Sequence, residues 1–558
     1  MRSPLVSRTG SVLLATLALA AGPVAAQDGP WALTNARILT VTRGVIERGT
    51  IVIRDGLIAA VGADVAAPAD ARVLDLAGRT VSPAFIDLTS SLGLATAAPA
   101  AAGPPGAGGG PPAAATTTVA ANVGLEPQRA VADEIRPSAT DVRTARDAGF
   151  GAVLVAPNRG AFRGLSALVP LRDSVASRHV VRSPVALHMG YQGTQGRYPG
   201  TLMGVIAYER QAFYDARRLG TLQERYRASP RGTERPAYDA RLSALIPAVR
   251  GELPVLFAAG NENEIRRALA MGREFDLRLT VVGATEGFRA VDALTASRRP
   301  VVVSVDFPRA TEVTGWSFRA GQRLPLNDSA AADSAARRVI EANAATLNSA
   351  GVRLALASGG SLRGAEILAN VRKAIAAGLP REVALEALTI RPAEIAGVAD
   401  QLGSVEVGKI ANLVVTEGEP LTDSAKVRAV FVDGVRYEVV APAAGRGPGR
   451  GGPGGGAAAQ LAGTWSVTVN SPQGSQTSTM TLTQEGSGFS GSMVNEMGTS
   501  PVADGQVSGS SVSWSITIST GGQSITVTFR GELEGSRIRG TAELGAYGSA
   551  PFTAEKNP

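Results

Sequence analysis

Val73-Leu-Asp-Leu-Ala-Gly-Arg-Thr-Val-Ser-Pro-Ala-Phe-Ile-Asp-Leu-Thr-Ser-Ser-Leu-Gly-Leu94 is the stretch on which the reading of this 558-residue chain turns. On its N-terminal side, Trp31 to Pro83 alternates short β-type runs with turn signals, as in Ala36–Val41 and Ile51–Gly62, and Asp55-Gly56 is a strong hairpin dipeptide. On its C-terminal side the pattern changes. A helical run over Ala139–Ala148 leads into a buried-type strand over Gly149–Pro157, a helix over Glu264–Ala270 leads into Phe275–Val282, and Pro300–Val305 reads as another strand. Strands alternating with helices predict a parallel sheet with crossover helices.

The quoted stretch resembles the first barrel strand of the amidohydrolase superfamily, in the imidazolonepropionase-like branch of metal-dependent hydrolases. That strand runs Pro-Gly-Phe-Ile-Asp-x-His-x-His; Pro83, Phe85, Ile86 and Asp87 are kept, while Thr89 and Ser91 stand at the two histidine places. Histidines two apart on a strand project to one side and can seat metal at its end. The resemblance extends to later strands. Ala258 stands where a strand would end in His-Ala, Gly283 takes the next ligand place, and Gly359 replaces the aspartate that closes the last strand. The four lysines, Lys373, Lys409, Lys426 and Lys556, lie outside the strand where a bridging carboxylated lysine would sit.

This resemblance implies a TIM-like (β/α)8 barrel over residues 83–400 and a small β-sandwich assembled from both flanks, 27–82 and 401–440. The second flank is carried by Leu402–Val415 and Val430–Val435, with Ala411-Asn412-Leu413 where the family has Ala-Asp-Leu. The count of eight strands, and their closure, come from the resemblance and not from periodicity.

The chemistry of the frame conflicts with its composition. Catalytic zinc sites use imidazole, thiolate or carboxylate donors, normally three from the protein. The chain has two histidines, His179 and His188, and no cysteine, so the vestigial positions Thr89, Ser91, Ala258, Gly283 and Gly359 predict no metal and no other cofactor. Strand ends facing the barrel mouth still offer Thr89, Ser91, Asn158, His188, Asn261, Asp306 and Ser358. Ser91, His188 and Asp306 are the candidates for a metal-free hydrolytic constellation, although Ser91 is not in a Gly-x-Ser-x-Gly elbow. His179, beside Arg178, reads as a solvated linker residue.

Residues 1–26 read as a removable secretory leader: Arg2 and Arg8 precede the apolar run Val12–Ala21, and Val24-Ala-Ala26 supplies small residues for cleavage. The expected location is therefore exported, periplasmic or secreted, with no membrane span left after processing. The net charge of +7 does not form a nucleic-acid footprint, because arginines are scattered among acids, as in Asn263-Glu-Ile-Arg-Arg267. Two segments are of low complexity: an Ala/Gly/Pro/Thr loop over 95–118, and a Gly/Pro linker over 441–459. Beyond the linker, residues 460–558 carry short Ser/Thr/Gly-rich strands, opening with Gly463-Thr-Trp465, that predict an antiparallel β-barrel or sandwich resembling lipocalin-like barrels. Here Trp465 is expected to plug the barrel as core.

Three functions follow from these features. The first is an exported binding or scaffolding pseudoenzyme, with a small-molecule ligand in the barrel mouth. The second, which the resemblance implies, is a hydrolase of carbon–nitrogen bonds other than peptide bonds. The third is a non-catalytic subunit of a homo- or hetero-oligomer with an intact relative.

Overall fold

The computed structural model describes residues 29–94, 125–173, 180–193, 198–307, 329–360, 364–439 and 461–557, the last with short breaks at 472–473, 486–487, 496–497, 509–510, 521–522 and 544–548. The leader, the 95–118 loop, the 441–459 linker and His179 lie outside the described residues. The chain forms two compact units, divided between Ala443 and Ala444.

In the first unit, β1 (Trp31–Leu39), β2 (Val45–Arg54), β3 (Leu57–Gly62), β4 (Arg72–Asp75) and β5 (Thr80–Pro83) come from the N-terminal flank. The barrel follows with β6 (Phe85–Ser90), β7 (Phe150–Val155), β8 (Phe162–Leu165), β9 (Ala167–Pro170), β10 (Leu187–Gly190), β11 (Val255–Ala259), β12 (Leu279–Gly283), β13 (Val301–Ser304) and β14 (Leu354–Ala357). The C-terminal flank adds β15 (Leu413–Glu417), β16 (Lys426–Val432) and β17 (Val435–Glu438).

Both flanks join one eight-stranded sheet, ordered β17-β16-β15-β5-β1-β2-β3, with β4 beside β1. The joint is the antiparallel pair β5–β15, in which Leu413 faces Pro83 and Thr416 faces Thr80. Asp55-Gly56 turns β2 into β3 with φ of 52° and 78°, and Asp433-Gly434 turns β16 into β17 with φ of 50° and 76°. Positive φ at both central residues is what a two-residue hairpin needs. Asn412 fastens the flanks together, its side-chain oxygen accepting from the Asp433 N–H at 2.7 Å and its carbonyl from the Ala84 N–H at 2.9 Å.

The barrel strands are apolar on both faces, as strands between an inner core and outer helices must be. Phe85, Phe150, Leu187, Phe257, Val281 and Leu356 pack in the large cluster that includes the helices, while Ile86, Leu88, Ala152, Leu154, Leu256, Val302 and Ala355 form the inner one. Seven strands, β6, β7 and β10–β14, run parallel. The eighth place departs from the simple alternation: one extended segment, broken at Ser166, pairs antiparallel with β10 through β8 and with β7 through β9. The cause is connection length. Between Val155 and Phe162 there is no room for a crossover helix, which a parallel return requires, so the chain comes back antiparallel. Among the described residues no helix is long and apolar enough to cross a membrane.

The second unit is a closed antiparallel barrel of eight strands: β18 (Gly463–Ser471), β19 (Gly474–Glu485), β20 (Gly488–Asn495), β21 (Gly498–Ser508), β22 (Ser511–Thr520), β23 (Gln523–Glu534), β24 (Arg537–Glu543) and β25 (Ser549–Lys556). Closure of β25 on β18 removes any free edge. The alternating runs Leu461–Val469, Ser478–Gln484, Gly488–Met493, Ser511–Ile518, Ser524–Phe529 and Arg537–Ala542 pick out six of these strands and miss β21 and β25, each of which holds a proline. Pro551 pairs with Thr541 on β24 but lies beyond the last β18–β25 pair, Val469–Phe552, so its missing N–H interrupts no ladder on that side. Trp465 is fully buried and its indole N–H donates to the Leu461 carbonyl at 2.7 Å, a core plug as expected. Trp514 stacks on Phe529 at 4.9 Å and meets Phe552 edge-on at 5.3 Å. Phe552→Ala should therefore cost about 3–5 kcal/mol. Differential scanning calorimetry of the full chain is expected to show this as a lowered transition of the second unit, with the first unit's transition unmoved.

Candidate functional site

Asp87 sits between β6 and β14, neighbouring barrel strands that share no backbone ladder among the described residues. Its buried carboxylate spans the gap. Oδ1 accepts from the Ser358 N–H at 3.0 Å and from the Thr89 N–H at 3.2 Å, and Oδ2 accepts from the Ser358 hydroxyl at 2.6 Å. Thr89 Oγ1 in turn accepts from the Gly359 N–H at 2.9 Å and lies 3.1 Å from Ser358 Oγ. The network is closed on itself: acid, hydroxyls and backbone amides satisfy one another. Thr89 and Ser358, both read as mouth-facing candidates, are thus joined, and their shared role is to close the ring. Gly359 has φ of 72°, and a Cβ there would stand 3.0 Å from the Asp306 Cβ and collide with Ser304 Oγ. A side chain at this position, aspartate included, would be strained by the backbone and would require Ser304 to shift. Asp306 is held close by, its N–H donating to Ser304 Oγ at 3.1 Å.

Beside this network a cavity of about 290 Å³ is lined by Asp87, Ser91, Leu94, Asp141, Thr144 and Ser358, among others. Ser91 faces this cleft, on the outer side of β6 toward the helix Ala139–Asp147, and His188 does not line it. His188 lies in β10, and its Nε2 is buried with no hydrogen-bond partner. The structure therefore does not bring Ser91 and Asp306 to the His188 Nε2. Burial first, and the nearby Arg163 charge second, push the His188 imidazole down to about 3, so it is neutral at physiological pH. Asn261 is a helix cap, its Oδ1 accepting from the Glu264 N–H at 3.0 Å, and Asn158 is exposed in the loop after β7.

Sequence reading missed two charged groups here. Arg163 emerges from β8 among the residues around Gly190 and Ala258, and Glu209 is fully buried on the helix Leu202–Ala228 with neither carboxylate oxygen hydrogen-bonded. The signal for Glu209 was present: Val205, Glu209 and Phe213 recur at intervals of four, which places an acid in an apolar stripe. Burial drives the Glu209 carboxyl well above the usual carboxylate range, against the pull of Arg163. The Tyr191 hydroxyl, also buried without a partner, is raised for the same reason, with Glu209 adding to the shift.

Among the described residues no three of His, Cys, Asp and Glu come together as metal ligands could. The donors at the strand ends named by the resemblance are hydroxyls, a methyl and backbone, and Asp87 is engaged on both oxygens, so the residues present do not fit a catalytic metal.

In structure, the chain is similar to an amidohydrolase from Thermotoga maritima MSB8, at TM-score 0.58 and 23% identity, over 73% of this chain and 99% of that one. The barrel unit has the amidohydrolase fold. In sequence, the amidohydrolase family model matches residues 253–440. A Xaa-Pro dipeptidase with bound methionine aligns at 17% identity over 73% of this chain and all of that one, with a TM-score of 0.46. An N-acetylglucosamine-6-phosphate deacetylase from Pasteurella multocida aligns at 14% identity over the same shares, with a TM-score of 0.38. None of the curated proteins matches the sequence.

Within this amidohydrolase barrel, Asp87→Ala should cost about 2–4 kcal/mol, because it strands buried donors on both β6 and β14. Ser358→Ala, which keeps the backbone bond, should cost nearer 1 kcal/mol in the same urea titration. Glu209 gives a pH signature. Its folded affinity for protons exceeds that of the unfolded chain, so its contribution is intact below about 4.5 and lost as pH rises through the folded value. Glu209→Gln is expected to leave the thermal midpoint unchanged near pH 4 and to raise it near pH 8.

Proposed function

We propose that this chain is an exported, metal-independent binding protein built on an amidohydrolase barrel. The observation that carries the reading is the closed Asp87–Thr89–Ser358–Gly359 network. It spends the residues at the ends of β6 and β14 on holding the ring together and leaves no donor set for a metal. Further support comes from Arg163, a cation that shares the surroundings of Gly190 with Ala258, the position the resemblance equates with a ligand histidine. A fixed positive charge there opposes a metal cation electrostatically.

A hydrolase acting on carbon–nitrogen bonds other than peptide bonds is the second reading, favoured by the family match over residues 253–440. Metal analysis separates the two. Mature protein without a histidine tag, offered Zn²⁺, Mn²⁺ and Fe²⁺ and then dialysed, is expected to hold far less than one metal per chain by mass spectrometry. Its activity on amide, carbamate and cyclic imide substrates is expected to match buffer. Stoichiometric metal, or turnover abolished by a chelator, would overturn the binding reading in favour of the hydrolase.

A further inference from the structure

Gly160-Ala-Phe-Arg-Gly-Leu165 enters β8 with an irregularity: His188 pairs with Gly164 and Met189 with Phe162, so Arg163 is an extra residue in the ladder. Such bulges re-aim a side chain. Gly164 makes this one possible. Its φ is 117°, and a Cβ there would stand 2.6 Å from the Arg129 carbonyl oxygen. The bulge sends Arg163 across the end of β10, where a Cβ on Gly190 would collide with Nη2 and would lie 3.3 Å from the Ala258 Cβ. Two glycines are thus committed to housing one guanidinium at the C-terminal ends of the barrel strands, the end where such barrels keep their sites.

That guanidinium is under-used. Nε donates to the Gly160 carbonyl at 3.2 Å; the two Nη atoms make no hydrogen bond or ion pair with described residues, and the residue is part-buried. Glu209 and Glu264 are near enough to stabilise its charge, but neither pairs with it, and the Glu264 carboxylate is already occupied by the Gly260 N–H. Beneath it, His188 projects from the same face of β10 as Gly190, two residues deeper, with Nε2 buried and unpartnered. Ala258 and Val282, at the ends of β11 and β12, are partly exposed on this side.

We propose that the barrel mouth binds a small carboxylate, gripped by the Arg163 guanidinium, with the neutral His188 imidazole packed beneath it. This deepens the binding reading above and rests on it. The planar fork of arginine matches the two oxygens of a carboxylate, and a single cation beside a neutral imidazole suits a singly charged group better than a phosphate dianion.

The test is calorimetric titration of the full mature chain with benzoate, succinate and N-acetylglycine, each against its uncharged amide, and with inorganic phosphate. At least one carboxylate should bind saturably while its amide does not. Arg163→Met should lose about tenfold or more in affinity, Arg163→Lys should retain part of it, and His188→Asn should weaken it less. Circular dichroism and the thermal midpoint of each variant show that it is folded; Arg163→Lys, which keeps the charge, guards against a merely structural effect of the methionine. Equal binding of acid and amide, full affinity in a folded Arg163→Met, phosphate binding more tightly than every carboxylate, or no saturation up to about 10 mM would each overturn the proposal. A metal-free protein that fails these titrations overturns the carboxylate site alone, whereas a metal-loaded protein overturns the binding reading itself.

Discussion

A single buried carboxylate closes the ring of the barrel. Elsewhere around the ring neighbouring strands exchange backbone hydrogen bonds, but β6 and β14 meet through Asp87, which takes two bonds from Ser358 and one from the Thr89 backbone. A carboxylate satisfied by three short donors in an apolar wall is strongly directional, because leaving any of those donors unpaired costs a desolvated polar group. The inner core of Ile86, Leu88, Leu256, Val302 and Ala355 depends on that closure, since it is enclosed only when the last strand meets the first.

The same constraint shapes the chemistry of the mouth. Acid and hydroxyls that could face a ligand are turned toward each other, and the remaining ligand-type positions are Ala258, Gly283 and Gly359, of which both glycines adopt a left-handed backbone. Arg163 places a positive charge at the mouth, while burial holds His188 neutral and pushes the Glu209 carboxyl well above the usual carboxylate range. A metal hydrolase needs the opposite balance, with anionic or neutral donors converging on a cation.

Much of the frame is legible in the chain. Asp55-Gly56 marks its hairpin, Leu402–Val415 marks the returning flank, and the apolar strand runs fall within a few residues of β7, β11, β12, β13 and β14. The misses have physical causes. β21 and β25 hide behind Pro501 and Pro551, which are tolerated because one neighbouring ladder has already ended where each sits. The reversed segment β8–β9 is too short and too broken by Gly160 and Gly164 to carry a strand period. Asn261 looked like a mouth residue because it follows β11, but a residue directly before a helix is also where a cap belongs.

The sequence by itself determined that strands alternate with helices between two β-rich flanks, that a separate antiparallel β-barrel or sandwich follows, and that histidine and cysteine donors are missing. Those are properties of local pattern and composition, which need no knowledge of which residues meet, while closure of the first unit into a barrel was implied by the family resemblance. Only the tertiary structure decided that Asp87 spends itself on Ser358 across 271 positions of chain, and that a bulge brings Arg163 over Gly190 beside Ala258. Such contacts are set by strand register and by where a side chain finds room. Neither leaves a periodic trace in the sequence, because each depends on an element folded from a distant part of the chain.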